Sequence, residues 1–444
     1  MIVVSVASGE RRAKLRAMTD PVAQPAEQGG PSPDVPERLD AWGPSPGAYA
    51  AELREARRGV KPQLMRAMNE RVVLEVVRSE GPVSRGELSH LSGLSKPTVA
   101  VAITALERDG LVRVAGLRSG ARGPATTLYE IRPESGFVLG LDVGREYLRG
   151  AIADITGRVH ARSARRVTVA AAGHRVAELL GLADSLCEEA AVQRRRVTQV
   201  VVGSPGVLDP ARGTLVAARN LPGWGRFGVV QELKEALGRS TVVENDIALA
   251  ALAERDLGHG RGVGTFCFVS VGTGIGMGLV IDGRLHRGAR GAAGEIAYFP
   301  IGGTARDASP GRVRHHGELE SAASASAVVR AARRAGVMGA SSARRVFAAA
   351  EAGDSRAREI VEDEALLVAK AVASVAAVVD PELVVLGGGI GRAPGFAARV
   401  AEALEGIFPF APRLVVSALG DDAVADGCLA LGGEIAWRLL LERS

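Results

Sequence analysis

Between Ser84 and Gly123 the chain sets two helix starts a short turn apart and follows them with a basic hairpin, an order of signals that few small folds accommodate. Ser84-Arg-Gly-Glu87 places a hydroxyl three residues before a carboxylate, so each side chain can satisfy an orphan backbone N–H of a first helical turn. Leu88 and Leu91 follow on one face, and Ser92-Gly-Leu94 breaks the helix. Ser95 then caps a second helix with Pro97 in its first turn, where a missing N–H costs nothing. Val99, Ile103 and Leu106 fall at i, i+4 and i+7, one apolar stripe for a small core. The opposite face keeps Lys96, Thr98, Val101 and Thr104. Two short helices across a tight glycine turn are the signature of a helix-turn-helix, whose second helix enters a major groove of DNA. Ala100 and Val101 reach only thymine methyls, which leaves hydrogen-bonded reading to Lys96, Thr98 and Thr104.

Gly110 ends that helix, and Leu111–Val114 and Thr126–Tyr129 read as strands joined by a loop from Ala115 to Ala125. The loop carries Arg118 and Arg122 among small residues, with no acid between Leu111 and Tyr129. It reads as a wing that lays arginine along a minor groove or its phosphates. The competing reading is a small helical domain with a solvated basic hairpin. Charge is arranged here rather than abundant: Lys61 to Ile131 holds ten Lys or Arg against seven Asp or Glu, while all 444 residues sum only to +5.

Lys61 to Ser79 repeats Leu64, Met68, Val72 and Val76 every fourth residue, a helix to back this module, which then spans 60–132. Residues 1–59, with seven prolines between Pro21 and Pro46, read as an arm that buries too little to offset its ordering entropy. Pro133-Glu-Ser-Gly136 reads as a hinge. The three cysteines, Cys187, Cys267 and Cys428, show no metal or redox spacing and read as buried thiols in a reducing cytoplasm. The most apolar run, Ala365 to Val379, contains Lys370 and falls short of the ~18 residues of a membrane span. Ile2-Val-Val4 followed by basic residues reverses a secretory signal. The expectation is a cytoplasmic protein with no membrane partner.

From Phe137 strands alternate with helices, the α/β pattern. Phe137–Gly144, a second strand to Ile155 and the turn Thr156-Gly157 have a counterpart in Phe266–Gly272, Met277–Ile281 and Asp282-Gly283. Gly144 and Gly272 lie 128 residues apart, and the repeated phrase predicts a duplicated domain with a cleft between lobes. Val200–Asp209 and Val242–Asp246 each end a β-rich run in glycine or polar residues, where an open sheet presents ligand contacts. Asp246 also fits a helix N-cap. Ala357–Val379 reads as a long helix, Leu383–Leu386 as a buried strand, Gly387–Gly389 as a close-approach turn, and Ala423–Leu441 as a closing helix.

Gly203-Ser-Pro-Gly206, Glu244-Asn-Asp246, Gly272-Thr-Gly-Ile-Gly276, Gly291-Ala-Ala-Gly-Glu295 and Leu386-Gly-Gly-Gly389 occur in an order that resembles the ROK family of repressors and sugar kinases. The leading winged helix-turn-helix resembles its repressor branch. The resemblance implies an α/β fold in which an N-terminal winged helix-turn-helix precedes a two-lobed actin-like, sugar-kinase domain. Lobe 1 would be 137–245 completed by the helix 423–441, and lobe 2 would be 246–422. It implies sugar binding by Asn245, Asp246, Glu295 and Glu320, with Tyr298 as a further hydrogen-bonding candidate. In the family's kinases the residue matching Asp246 is the catalytic base. Here Arg145 and Glu146 follow Asp142-Val-Gly144 where the kinases resemble Gly-Gly-Thr-Lys, so ATP use is not expected. Tyr298 stands where the family has a zinc-binding histidine, and Gly311–Glu320 has no cysteine; His315 and His316 are adjacent and cannot complete four-ligand geometry, so neither metal nor cofactor is expected. The reading is a sugar-responsive repressor that meets double-stranded operator DNA and a sugar or sugar phosphate effector as a homodimer or higher homo-oligomer. The alternative is a ROK sugar kinase with an appended DNA-binding domain.

Overall fold

The computed structural model describes residues 62–119, 125–168, 172–209, 212–216, 218, 221, 223–238, 240–301 and 317–443. The expected arm, residues 1–59, lies outside them.

Helix α1 (Pro62–Glu80), strand β1 (Val83–Ser84), helices α2 (Arg85–Ser92) and α3 (Lys96–Arg108), and the hairpin β2 (Val112–Arg118) and β3 (Thr126–Ile131) form the head. Its strands run antiparallel in the order β1-β3-β2. The start of α2 is the reciprocal cap read in the sequence: the Glu87 N–H donates to Ser84 Oγ at 3.2 Å and the Ser84 N–H to Glu87 Oε2 at 2.8 Å. Gly93 ends α2 with a left-handed φ of 67°, and Ser95 caps α3 by accepting from the Thr98 N–H. Val99, Ile103 and Leu106 are buried with Leu88 and Tyr129 in one cluster. Three details depart from expectation. Strand β2 continues past Val114 to Arg118 through a bulge between Val114 and Gly116, which shortens the wing loop. Leu64 is exposed while Val72 and Val76 are buried, so α1 packs through its later turns. Pro133–Ser135 forms a single 3-10 turn, held by Arg196, which donates to the Glu134 carbonyl at 2.6 Å, and by Arg113 and Arg132 against the Glu134 carboxylate.

The first lobe contains β4 (Phe137–Val143), β5 (Tyr147–Asp154), β6 (Val159–Arg166), α4 (Ala172–Glu189), β7 (Val197–Ser204), the short pair β8 (Val207–Asp209) and β9 (Thr214–Val216), α5 (Val229–Leu237) and β10 (Val242–Asn245). Helix α6 (Asp246–Leu257) leads to the second lobe: β11 (Phe266–Val271), β12 (Ile275–Ile281), β13 (Arg284–Leu285), α7 (Glu318–Ala323), α8 (Ala325–Arg334), α9 (Ala343–Glu351), α10 (Ser355–Val379), β14 (Leu383–Gly387), α11 (Gly388–Gly391), α12 (Phe396–Glu405) and β15 (Arg413–Val416). The sheets run β10-β7-β4-β5-β6 and β13-β12-β11-β14-β15. In both, the first strand lies in the middle, antiparallel to the second and parallel to the fourth. The repeated strand-glycine-strand phrase is therefore a repeated sheet. Helix α13 (Ala423–Arg443) closes the chain against β4, β7 and α6. The cysteines are free and buried, and burial pushes the Cys267 thiol up to about 12. Among the described residues no helix is long and apolar enough to cross a membrane.

Candidate ligand cleft and DNA-reading face

The carboxyl ends of β4, β10, β11 and β14 meet around a cleft of about 360 Å³, the place where parallel strands of an open α/β sheet offer loop and helix ends to a ligand. Asn245, Asp246, Glu295, Tyr298 and Glu320, drawn from three separate stretches of sequence, all line it.

The cap of α6 is Asn245, not Asp246. Asn245 accepts from the Ala248 N–H at 3.0 Å and its Nδ2 donates to the Gly206 carbonyl at 3.0 Å, which fixes the amide at the cleft wall. This frees Asp246 from capping duty. Its carboxylate accepts from the adjacent Ile247 N–H at 2.9 Å, and burial, opposed by that bond and by one from its own backbone N–H, pushes it up to about 6. Asp142, at the end of β4, is pushed further, to about 7, first by burial and then by the charge of Asp246; Arg149, 3.8 Å away, opposes the rise.

Glu295 follows Gly294, whose φ of 92° lets the chain turn against β12; a Cβ there would lie 1.9 Å from the Met277 carbonyl oxygen. A 3-10 turn, Ile296–Tyr298, then presents Tyr298, which is 41% exposed. Glu320 sits in the first turn of α7 and accepts from the Ile275 N–H at 3.1 Å, tying that helix to the glycine turn after β11. Sequence reasoning missed an ion pair in the cleft wall: Arg287 Nε donates to Glu244 Oε2 at 2.6 Å, while Glu244 Oε1 accepts from the Asn245 N–H at 2.9 Å. Glu244 lay within a recognised motif, but nothing in the sequence tied it to Arg287, which stands in a loop beyond β13.

Arg145 lines the cleft beside Gly144, whose carbonyl accepts from the buried Arg175 at 2.8 Å. Glu146 is exposed next to it. Of the stretch Gly311–Glu320, expected in the place of the family's cysteine cluster, residues 311–316, with His315 and His316, lie outside the described residues. Among the described residues no group of three metal-capable side chains occurs.

On the head, Lys96, Val101 and Thr104 are exposed along α3, and Thr98 is half-buried. Two hydroxyls have local partners: Thr104 donates to the Ala100 carbonyl at 2.9 Å, and Thr98 shares a hydrogen bond with Ser95 at 2.8 Å. Arg118, expected to reach outward, instead pairs with Glu87 at 2.7 Å. The Ser84 backbone N–H, and after it Arg118, hold the Glu87 carboxyl down to about 2. Arg122 lies outside the described residues.

Fold and cleft together define a two-lobed, sugar-kinase-like α/β protein led by a winged helix-turn-helix. Residues 138–434 match the ROK family, and residues 69–113 match a winged helix-turn-helix DNA-binding model. The chain belongs to the ROK family. It is 24% identical to the xylose repressor of Caldicellulosiruptor bescii over 83% of this chain and 96% of that one. A ROK family transcriptional regulator described as a homologue of the E. coli MLC protein shares the fold with a TM-score of 0.68 and 24% identity, over 85% of this chain and 98% of the other. A ROK hexokinase from Thermus thermophilus is 30% identical with a TM-score of 0.57, over 69% of this chain and all of the other.

Proposed function

We propose that the protein is a sugar-responsive transcriptional repressor of carbohydrate uptake or catabolism genes. It works in the cytoplasm on double-stranded operator DNA, as a homodimer or higher homo-oligomer, with a sugar or sugar phosphate as effector. The observation that carries this reading is the union in one chain of an exposed α3 face and a cleft into which Asn245, Asp246, Glu295, Tyr298 and Glu320 converge. Carboxylates and an amide suit neighbouring hydroxyls, since each accepts bonds from them in a partly dry site. Lys96, Thr98, Val101, Thr104, Arg118 and Arg122 serve the DNA, within a head spanning 60–132. Lobes 137–245, completed by 423–441, and 246–422 enclose the sugar. A sugar that prefers one arrangement of the lobes shifts the head between states by its difference in affinity for them. The xylose repressor relative supports the assignment. The test is gel retardation of the gene's own promoter DNA at moderate salt, with D-xylose, D-glucose and N-acetyl-D-glucosamine added in turn. The expected result is retardation that one sugar alters; failure to retard with or without sugar overturns the reading.

A kinase reading draws on Asp246, whose raised pKa suits a general base near neutral pH, and on the hexokinase similarity. Phosphoryl transfer also requires positioned phosphates and metal. The family resemblance sets Arg145 and Glu146 in the place of the kinases' first phosphate loop, where the Glu146 carboxylate would repel a triphosphate, so we favour a protein that does not turn over ATP. Coupled ATP turnover on a hexose panel decides between the two. Turnover that disappears in Asp246→Asn would establish the kinase.

A further inference from the structure

Helix α1 serves two neighbours. One face packs on α3 inside the head. Another carries Arg71, Glu75 and Arg78, spaced so that they share a face, onto the last turns of α13. Trp437 Nε1 donates to Glu75 Oε1 at 2.6 Å, and Arg71 Nε donates to the Leu441 carbonyl at 2.8 Å. The Arg78 guanidinium lies 4.6 Å from the centroid of the Trp437 ring. Trp437 and Leu440 are buried in the same apolar cluster as Val73, Leu88 and Ile103. The core of the head is thus completed by a helix that comes from the lobes.

The earlier turns of α13 are wedged between the elements that build the cleft. Gly427 passes so close to α6 that a Cβ would lie 1.9 Å from the Leu249 carbonyl oxygen. A Cβ on Gly140 of β4 would lie 2.9 Å from the Ala425 carbonyl oxygen and 2.8 Å from Cys428 Cβ. One turn before Trp437, Glu434 pairs with Arg255 of α6. Helix α6 begins at Asn245 and Asp246, and β4 ends at Asp142 and Val143, at the cleft. Where backbone meets backbone no flexible side chain absorbs a displacement, so the packed elements shift as a unit.

We propose that α13 is a rigid strut joining the cleft to the DNA-reading head, with Trp437 and Glu75 as its positioning residues. The inference rests on the reading of the protein as a sugar-responsive regulator. A ligand that displaces α6 displaces α13, Trp437 passes the movement to α1, and α3 follows because it packs on α1. Coupling of this kind is reciprocal, so DNA bound at α3 must alter α6 with no sugar present.

That reciprocity provides the test. Amide hydrogen exchange of the full chain is compared with and without excess duplex DNA of about 30 base pairs at low salt, where phosphate contacts alone secure binding. In the wild type, DNA slows exchange in α2 and α3 and also changes it in α13 and α6. Trp437→Phe keeps a ring in the core and deletes the hydrogen bond to Glu75; Glu75→Met keeps the length of the side chain and removes the oxygen that accepts it. In both variants DNA still protects α3, which shows a folded head, while the change at α6 falls by about 5-fold or more. No change at α6 in the wild type, or an undiminished change in both variants, overturns the strut. The sugar-responsive reading fails by a different observation, wild-type DNA affinity that none of D-xylose, D-glucose and N-acetyl-D-glucosamine alters.

Discussion

The two five-stranded sheets share a strand order and part company in what leaves their first strands. After β4 the chain runs from Gly144 into Arg145, which lines the cleft, and the exposed Glu146. After β11 it runs from Gly272 through Thr-Gly-Ile-Gly into β12, with no charge at all. Two residues past this stretch, Gly278 of β12 is required by packing. A Cβ on Gly278 would lie 2.6 Å from Ala251 Cβ and 2.7 Å from the Ile247 carbonyl oxygen, so this residue sets how closely α6 lies on the sheet. Gly278 is therefore accounted for by packing on α6, whereas lobe 1 puts a charged pair, Arg145 and Glu146, directly after its first strand. The difference teaches that a duplicated sheet follows from hydrophobic pattern, and that its chemistry is decided by the few residues beyond each strand.

The largest expected effect breaks the packing half of this comparison. Gly278→Val forces α6 off the sheet and costs about 3 kcal/mol, a fall in melting temperature of about 3 °C. Gly389→Ala, where a Cβ would meet nothing within 4 Å, leaves the melting temperature within about 1 °C by the same scan. Next is the division of labour in the cleft. Asp246→Asn weakens binding of the effector sugar by about 30-fold in calorimetric titration, the worth of a hydrogen bond to a charged group. Arg145→Gly leaves that affinity within about 2-fold, since Arg145 enters the cleft from the turn after β4 and is not among the five candidate sugar ligands. A large loss in Arg145→Gly would instead assign the lobe 1 turn to the effector and favour a phosphorylated sugar.

The paired acids give a pH signature. Asp142 and Asp246, pushed up to about 7 and about 6, keep their protons in the folded chain at pH values where the unfolded chain has lost them. Their contribution to stability is complete below about pH 4 and is lost as pH rises towards 7. Asp142→Asn should accordingly gain in melting temperature relative to the wild type as pH is raised from 4.5 to 7.5, and a gap independent of pH would contradict the assignment. The smallest effect lies in the head: Lys96→Ala weakens binding to duplex DNA a few-fold and lowers the steepness of its salt dependence by about one.

The elements whose identity depends on local chemistry were legible in the sequence. The reciprocal cap at Ser84 and Glu87, the glycine stop at Gly93 and the stripe of Val99, Ile103 and Leu106 each report their own geometry, and all three occur where expected. The five residues implied by the family resemblance line one cleft: Asn245 ends β10, Asp246 opens α6 and Glu295 follows Gly294, while Tyr298 and Glu320 sit in helical turns that no strand end announces. Pairings between distant residues were not legible. Nothing local to Arg287 points to Glu244, nothing in the wing signals that Arg118 turns back to Glu87, and nothing near Trp437 announces Glu75. The capping role read for Asp246 passed to Asn245 because the two are adjacent and both can cap; only the backbone φ and ψ decide between them.

Glu75 and Trp437 are separated by 362 residues. On the ribosome the DNA reader is thus made first and finished last: α1 waits, with an apolar flank unsatisfied, until both lobes have been synthesised and the closing helix arrives. A chain that stops short of α13 leaves Glu75 without Trp437 and the flank of α1 without Leu440.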